Sequence, residues 1–224
     1  MDKKERVQIF IDGGNFHHLV LKKLNIKELD FSFENFIDFL VRDREITEFG
    51  KRFYIGTVRE KRGDEYSKKA MSKQTALLNT LEAKSWQIKT SKLRNRLEKI
   101  VIDERTIDYK NILGKGITCI EINRKREKGI DVKLAVDMII GAMDDKYDSA
   151  ILISSDTDLI PAIDIVTRRF KKKIEYIGFS IAVDENDQNK NTKPSQGLIS
   201  KTSLQRILVK SDILPFANIP SEEE

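Results

Sequence analysis

The sequence predicts an α/β protein built on a parallel sheet, with a small β insertion and a short C-terminal helical extension. Three observations predict it. Ser149-Ala150-Ile151-Leu152-Ile153-Ser154 is a near-continuous apolar run, which suits a parallel strand covered on both faces. Strand-like and helix-like segments alternate along the chain, as they do where helices cross between parallel strands. The 224 residues suffice for one such domain plus an addition.

Each element has its own justification. Val7-Gln8-Ile9-Phe10-Ile11-Asp12 is a β-branched apolar run closed by Asp12 and Gly13-Gly14, hence a buried strand ending in a turn. Asn15 is a good N-cap, and Phe16, Leu19, Val20 and Leu24 follow at helical spacing. Phe33, Phe36, Ile37 and Leu40 mark a second helix, with Ser32 and Asn35 as start signals. Residues 52–58 read as the second strand and residues 66–85 as a long helix with Leu77, Leu78 and Leu81 on its apolar stripe. A short third strand covers 86–90. Within 91–128, residues 97–102 and 117–122 both have strand character around a glycine-bearing stretch, which predicts a β-hairpin insertion.

Beyond it the pattern sharpens. Leu134, Ala135, Met138 and Ala142 give the buried stripe of a helix over 131–143. After the strand at 149–154, a helix runs through Leu159, Ile163, Val166 and Phe170, with Pro161 in its first turn. Residues 173–179 are the last strand of the expected sheet. The domain is therefore expected over 6–180. A polar linker is expected at 184–197, and a helical extension at 198–216 with its helix over 203–214.

Composition narrows the chemistry. Lys plus Arg is 41 and Asp plus Glu is 36, a net charge of +5 that admits a polyanionic partner without requiring one. One cysteine, Cys119, excludes a disulfide framework and a Cys-cluster zinc site. The two histidines, His17 and His18, are adjacent and read as structural, so a multi-His metal site is excluded as well. No run of about 18 apolar residues exists to cross a membrane. The N-terminal segment lacks an apolar signal core, so a cytoplasmic location without membrane attachment is expected. Metal or acid–base chemistry must then rest on carboxylates.

The carboxylates are placed for it. Asp12 follows the first strand, and Asp156 and Asp158 follow the strand at 149–154. In a parallel sheet both strands deliver their ends to one edge, the edge at which such folds bind ligands. Asp131 sits in the first turn of a helix that begins there, on the face of Leu134, Ala135 and Met138, and is expected to point inward over the sheet. Taken singly, Asp12 reads as a turn residue, Asp131 as a charge complementing the helix dipole, and Asp156 as an N-cap. Those readings do not account for four acids mapped to one edge. Four gathered carboxylates repel, and a hard divalent cation, Mg²⁺ or Mn²⁺, resolves the repulsion. Asp137 lies about 120° round the helix from Asp131 and is equally placed to pair with Lys133.

These residues resemble a known family. Residues 7–15 resemble the opening motif of NYN domains, a branch of the PIN-like ribonuclease superfamily that includes the LabA-like proteins. Lys128-Gly129-Ile130-Asp131-Val132-Lys133-Leu134-Ala135-Val136-Asp137 resembles the second motif, and Ser154-Ser155-Asp156-Thr157-Asp158-Leu159-Ile160-Pro161 the third. The motifs occur in the family's order, and the likeness covers roughly residues 6–180. The resemblance implies a three-layer α/β/α PIN-like (Rossmann-like) fold and metal-dependent cleavage of RNA. It implies that Asp12, Asp131, Asp156 and Asp158 are the metal-binding catalytic acids. Asn15 would orient the first aspartate or a metal-bound water. Ser154 matches a small polar residue beside the third motif, and Asp137 an acid often seen at its position. One departure is Ser155, where the family usually has glycine.

A nuclease must also hold a phosphate backbone. Arg59, Lys61 and Arg62 follow the second strand, and Lys128 precedes Asp131, so these are the RNA-binding candidates; Arg94, Arg96, Arg124, Lys125 and Arg126 are further ones. Phe31, Phe33, Phe36 and Phe39 read as core. The expected activity is hydrolysis of RNA phosphodiesters by water activated at Mg²⁺ or Mn²⁺. The alternatives are a non-catalytic RNA-binding or scaffolding protein of the same fold and, ranked lower, a phosphoryl hydrolase, which lacks the paired acid expected after Asp12. The C-terminal extension is expected to offer a surface to a second copy or another protein.

Overall fold

The computed structural model describes residues 4–58, 60, 63–92, 94–126, 129–183 and 191–218. The chain opens with strand β1 (Arg6–Asp12) and the single turn α1 (Gly13–Phe16), which runs on as one π turn through Leu21. Helix α2 (Phe33–Val41) starts on Ser32, whose hydroxyl accepts from the Asn35 N–H. Strand β2 (Glu45–Thr57), helix α3 (Glu65–Ala83) and strand β3 (Gln87–Lys92) follow. Strand β4 (Arg94–Val101), helix α4 (Tyr109–Gly114) and strand β5 (Cys119–Arg126) form the insertion. Then come helix α5 (Ile130–Met143), strand β6 (Ser149–Ile153), helix α6 (Ile160–Arg168) and strand β7 (Lys173–Ser180). The chain ends on α7 (Gln196–Ile199), β8 (Leu204–Val209) and α8 (Lys210–Ile213).

Among the described residues the main sheet has six strands in the order β3-β2-β1-β6-β7-β8, and every pairing in it is parallel. Helices cover both faces, as parallel strands require. Alternation along β1 sends Val7, Ile9 and Ile11 into one core with Phe16, Phe36 and Phe53. Phe10 enters the other, with Leu134, Met138, Ile163 and Val166 from α5 and α6. Asp12 shares the parity of Phe10, so it leaves the sheet on the α5 side. Phe31, Phe33 and Phe36 are buried as expected, whereas Phe39 is partly exposed and packs on Phe216.

Three expectations are corrected. The first half of the helix expected over 203–214 is instead strand β8, which pairs with β7 from Glu175↔Leu204 to Ser180↔Val209, and only Lys210–Ile213 is helical. Leu204, Ile207, Leu208 and Ile213 do fit a helical period, but β7 would otherwise expose an open edge, and pairing there outweighs local periodicity. The segment is no appendage. Beyond it, the Ser32 N–H donates to Phe216 O and the Asn218 N–H to Asp30 O. The Phe216 ring meets Phe31, Phe36 and Phe39. Second, the stretch between the insertion's strands is a short helix, α4, rather than a plain loop. The antiparallel β4–β5 pair itself is present as expected. Third, β2 begins seven residues earlier than expected, with an irregularity against β1 between Ile46 and Lys51.

Candidate active site

Asp12 is the last residue of β1, and Ile11 pairs with Ile153, so Asp12 and Ser154 leave the sheet side by side. The turn after Asp12 is tight. A Cβ on Gly13 would come within 2.4 Å of the Phe53 ring and 3.1 Å of Tyr54 O, so only glycine fits beneath β2 there. Asp12, rather than Asn15, is the N-cap of α1, because Gly13 and Gly14 already belong to the helix. Its Oδ1 accepts the Asn15 N–H at 2.9 Å, and its Oδ2 accepts the Asn15 side-chain amide at 2.6 Å.

A second motif joins this cap. The Ser154 hydroxyl donates to Asp12 Oδ2 at 3.3 Å and accepts the Asp156 N–H at 3.2 Å. The Ser155 hydroxyl donates to Asn15 Oδ1. The Asp12 carboxylate fixes the orientation of the Asn15 amide: it only accepts, so the NH₂ faces it and the amide oxygen is left to accept from the Ser155 hydroxyl, which can bond either way. Asp156 caps the 3₁₀ turn at 157–159, its Oδ1 accepting the Asp158 N–H at 2.8 Å. Asp12, Asn15, Ser154, Ser155 and Asp156 thus form one connected network drawn from two distant motifs.

The electrostatics follow from burial. Asp12 is only 8% exposed, and that burial pushes its carboxyl above the usual aspartate value. The Asn15 and Ser154 donors pull it back down, and the charge of Asp131 pushes it up again. Asp131 stands in the first turn of α5, entered through Gly129 at φ +84°, a backbone that favours glycine. The side chain is exposed, contrary to the expected inward aim, because the buried stripe of α5 runs through Ile130, Leu134 and Met138, and Asp131 lies one residue, about 100°, round the helix from Ile130. Its charge nonetheless reaches Asp12. Asp158 is exposed and Asp156 half-buried on the same edge.

Asp137 is engaged elsewhere. Its carboxylate accepts the Tyr54 hydroxyl at 2.9 Å and lies 3.5 Å from Arg52. Lys133, considered as its helical partner, instead donates to Thr90 O at 2.6 Å and ties the start of α5 to the end of β3. His17 Nδ1 lies 3.1 Å from the Glu28 carboxylate, consistent with a structural position. Arg59, Lys61, Arg62 and Lys128, named as RNA-binding candidates, lie outside the described residues. Ser155 and the Tyr54–Asp137 contact were missed at the sequence level. For Ser155 the signal was its substitution for the glycine usual in the resembling motif.

The donor set at this edge is all oxygen: carboxylates, a hydroxyl and an amide. It suits a hard cation. Among the described residues, no three His, Cys, Asp or Glu side chains stand close enough together to enclose a metal ion. A cation that keeps several of its waters, as Mg²⁺ does, needs only one or two direct carboxylate bonds, so the residues fit such an ion.

A parallel α/β/α sheet with a buried aspartate at its carboxyl edge, backed by acids of two further motifs, defines the class of PIN-like domains. The chain belongs to the NYN domain family, whose profile it matches over residues 6–196. The crystal structure of a protein of unknown function from Vibrio parahaemolyticus has the same fold, with a TM-score of 0.58 at 16% identity. That match covers 95% of this chain and 98% of the Vibrio chain. No curated protein is similar enough to count as a relative. Among the described residues, no helix is long and apolar enough to cross a membrane.

Proposed function

We propose that this protein is a metal-dependent ribonuclease. Membership of a family of generally nuclease-like domains supports the class of activity. The observation that carries the reading is Asp12: a carboxylate buried at the ligand-binding edge, held by three hydrogen bonds and repelled by Asp131. Burying an ionisable group beside a like charge costs stability, and such costs concentrate at functional sites. A divalent cation would offset both the burial and the repulsion.

Asp12, Asp131, Asp156 and Asp158 would hold Mg²⁺ or Mn²⁺. Such an ion supplies a water of lowered pKa and stabilises charge on the phosphoryl oxygens. The chain's own residues do the positioning. Asn15, locked by Ser155, fixes the rotamer of Asp12. Ser154 couples that carboxylate to the turn carrying Asp156 and Asp158. The exposed acids Asp131 and Asp158 face solvent, where an incoming RNA strand and its water arrive. Asp137 stays committed to Tyr54 and Arg52, below this layer.

A second reading is an RNA-binding or scaffolding protein without catalysis. It draws on the spacing of the acids, which among the described residues do not form a ready-made group of three. Calorimetry with Mn²⁺ separates the two. The nuclease reading expects binding by the native protein, weakened in Asp156→Asn, and RNA cleavage dependent on the same ion. Absence of divalent binding would favour the non-catalytic reading.

A further inference from the structure

The strands of the main sheet run parallel, so they begin at one edge, opposite the acidic one. Strand β1 has seven residues, which puts that edge about 20 Å from Asp12. Two cavities open there, of about 510 and 450 Å³, and Glu5 lines both. The first takes in Arg42, Arg44 and Arg206, the second Lys4, Lys171, Lys172 and Lys173. Together they form one groove from the start of β2 past β1, β6 and β7 to β8. Adjacent strands lie about 4.8 Å apart, so the groove is about 19 Å long.

The groove is basic. Its seven cations face four acids, Glu5, Asp43, Asp148 and Glu175, a balance of +3. Three of the acids are spent inside the protein. Glu5 accepts the Ser149 hydroxyl and lies 3.5 Å from Lys173. Asp148 is held by Arg6 and Lys172, and Glu175 by Arg44 and Arg206. Asp43 is exposed. Among the described residues, the side chains of Lys4, Arg42 and Lys171 have no hydrogen-bond or ion-pair partner, and all three are exposed. Arg169, also exposed, extends the cationic run beside Lys171 with its guanidinium over the Phe170 ring.

Two of the three free cations stand on costly backbone. Arg42 ends α2 at φ +57°, and Lys171 turns the chain from α6 into β7 at φ +55°. Glycine fits such positions at less cost, yet each carries a long cationic side chain. Arg42 lines one cavity, and Lys4 and Lys171 the other. The free charge is thus spread along the groove, which suits a chain of phosphates rather than a single one.

We propose that this groove binds the phosphate backbone of an RNA strand through Lys4, Arg42 and Lys171, remote from the acidic edge. The choice of RNA as the polyanion rests on the ribonuclease reading. The contacts are to phosphates, so they carry affinity and orientation rather than sequence preference.

The test is binding of a fluorescein-labelled unstructured oligoribonucleotide by the full chain, in chelator so that no cleavage occurs, over a series of salt concentrations. Each lost phosphate contact to a single strand lowers the slope of log K against log salt by about 0.7, so K4Q/R42Q/K171Q should lower it by about 2. Affinity near physiological salt should fall roughly tenfold or more. A thermal melt checks folding, and the milder pair R42Q/K171Q should lower the slope by about 1.4. The charge-matched variant K73Q/K110Q/K115Q, on α3 and α4 outside the groove, should leave the slope as it was. An unchanged slope in the folded groove variant, or an equal loss in the charge-matched one, overturns the proposal. A groove variant that keeps its RNA slope but loses binding of poly-L-glutamate would assign the groove to an acidic protein and overturn it too. Cleavage is scored separately. A chain that binds RNA through the groove but cuts none removes the nuclease reading and leaves the groove standing.

Discussion

Replacing Ser154 with alanine removes one oxygen that two motifs share. The hydroxyl is buried, with the residue 4% exposed, and makes one bond in each direction: to Asp12 Oδ2 at 3.3 Å and from the Asp156 N–H at 3.2 Å. A hydrogen bond to a charged group contributes about 1.5–3 kcal/mol at good geometry; at 3.3 Å the lower end applies. The stranded Asp156 N–H adds about 1–2 kcal/mol, because a donor left without its acceptor keeps its desolvation cost. The expected loss is about 2–4 kcal/mol. In a chain of this size that lowers Tm by roughly 4–16 °C. The loss also depends on pH. The hydroxyl favours the ionised form of Asp12, so that part of its contribution is present where Asp12 is ionised and fades as the carboxyl takes up a proton. The stability gap should therefore narrow in acid. Urea unfolding of both proteins over a pH series measures it. A gap below about 0.5 kcal/mol near neutral pH, or one that widens in acid, would refute the bridge between the two motifs.

Other consequences are equally direct. Asp12→Asn should melt higher than the native chain near neutral pH, because burial and Asp131 raise the native carboxyl. A raised carboxyl gives its stability below its ordinary value of 3.8 and loses it as pH rises through the folded value, so the advantage should disappear in strong acid in a calorimetric pH series. Glu175 is 4% exposed and lies between Arg44 and Arg206, so Glu175→Gln should cost about 3 kcal/mol in chemical denaturation by leaving two guanidinium groups without their counter-ion. Phe216→Ala should cost about 2–3 kcal/mol and loosen the C-terminal segment, read as faster amide exchange in β8, because its ring meets Phe31, Phe36 and Phe39.

How much of this was legible in the sequence depends on how local the cause is. Asp12 could be placed because an apolar run ending in Asp-Gly-Gly fixes both the strand and its edge. The helix at 130–143 and the strand at 149–153 were legible for the same reason, since period and composition agree there. Strand β8 was not, because Leu204, Ile207 and Leu208 satisfy a helical period and only the open edge of β7, far away in sequence, decides otherwise. The pairing of Arg44 and Arg206 with Glu175 was illegible for the same reason: it joins the turn before β2 to strands β7 and β8, far apart in sequence. Ser155 was visible only as a departure from the family pattern. The distance to Asn15 turns that departure into a contact. The exposure of Asp131 went the other way. Its spacing from Leu134, Ala135 and Met138 predicts an inward face, but Ile130 takes the buried place in the first turn of α5 and Asp131 stands beside it in solvent.

The central claim is that the acids at this edge work through a divalent cation on RNA. The most direct measurement is cleavage of labelled RNA by the native chain and by Asp12→Asn, each with Mg²⁺, with Mn²⁺ and in chelator. Cleavage by the native chain is expected only with a divalent ion, and a loss of roughly hundredfold or more in Asp12→Asn. Cleavage that persists in chelator, or that Asp12→Asn carries out at the native rate, would contradict it.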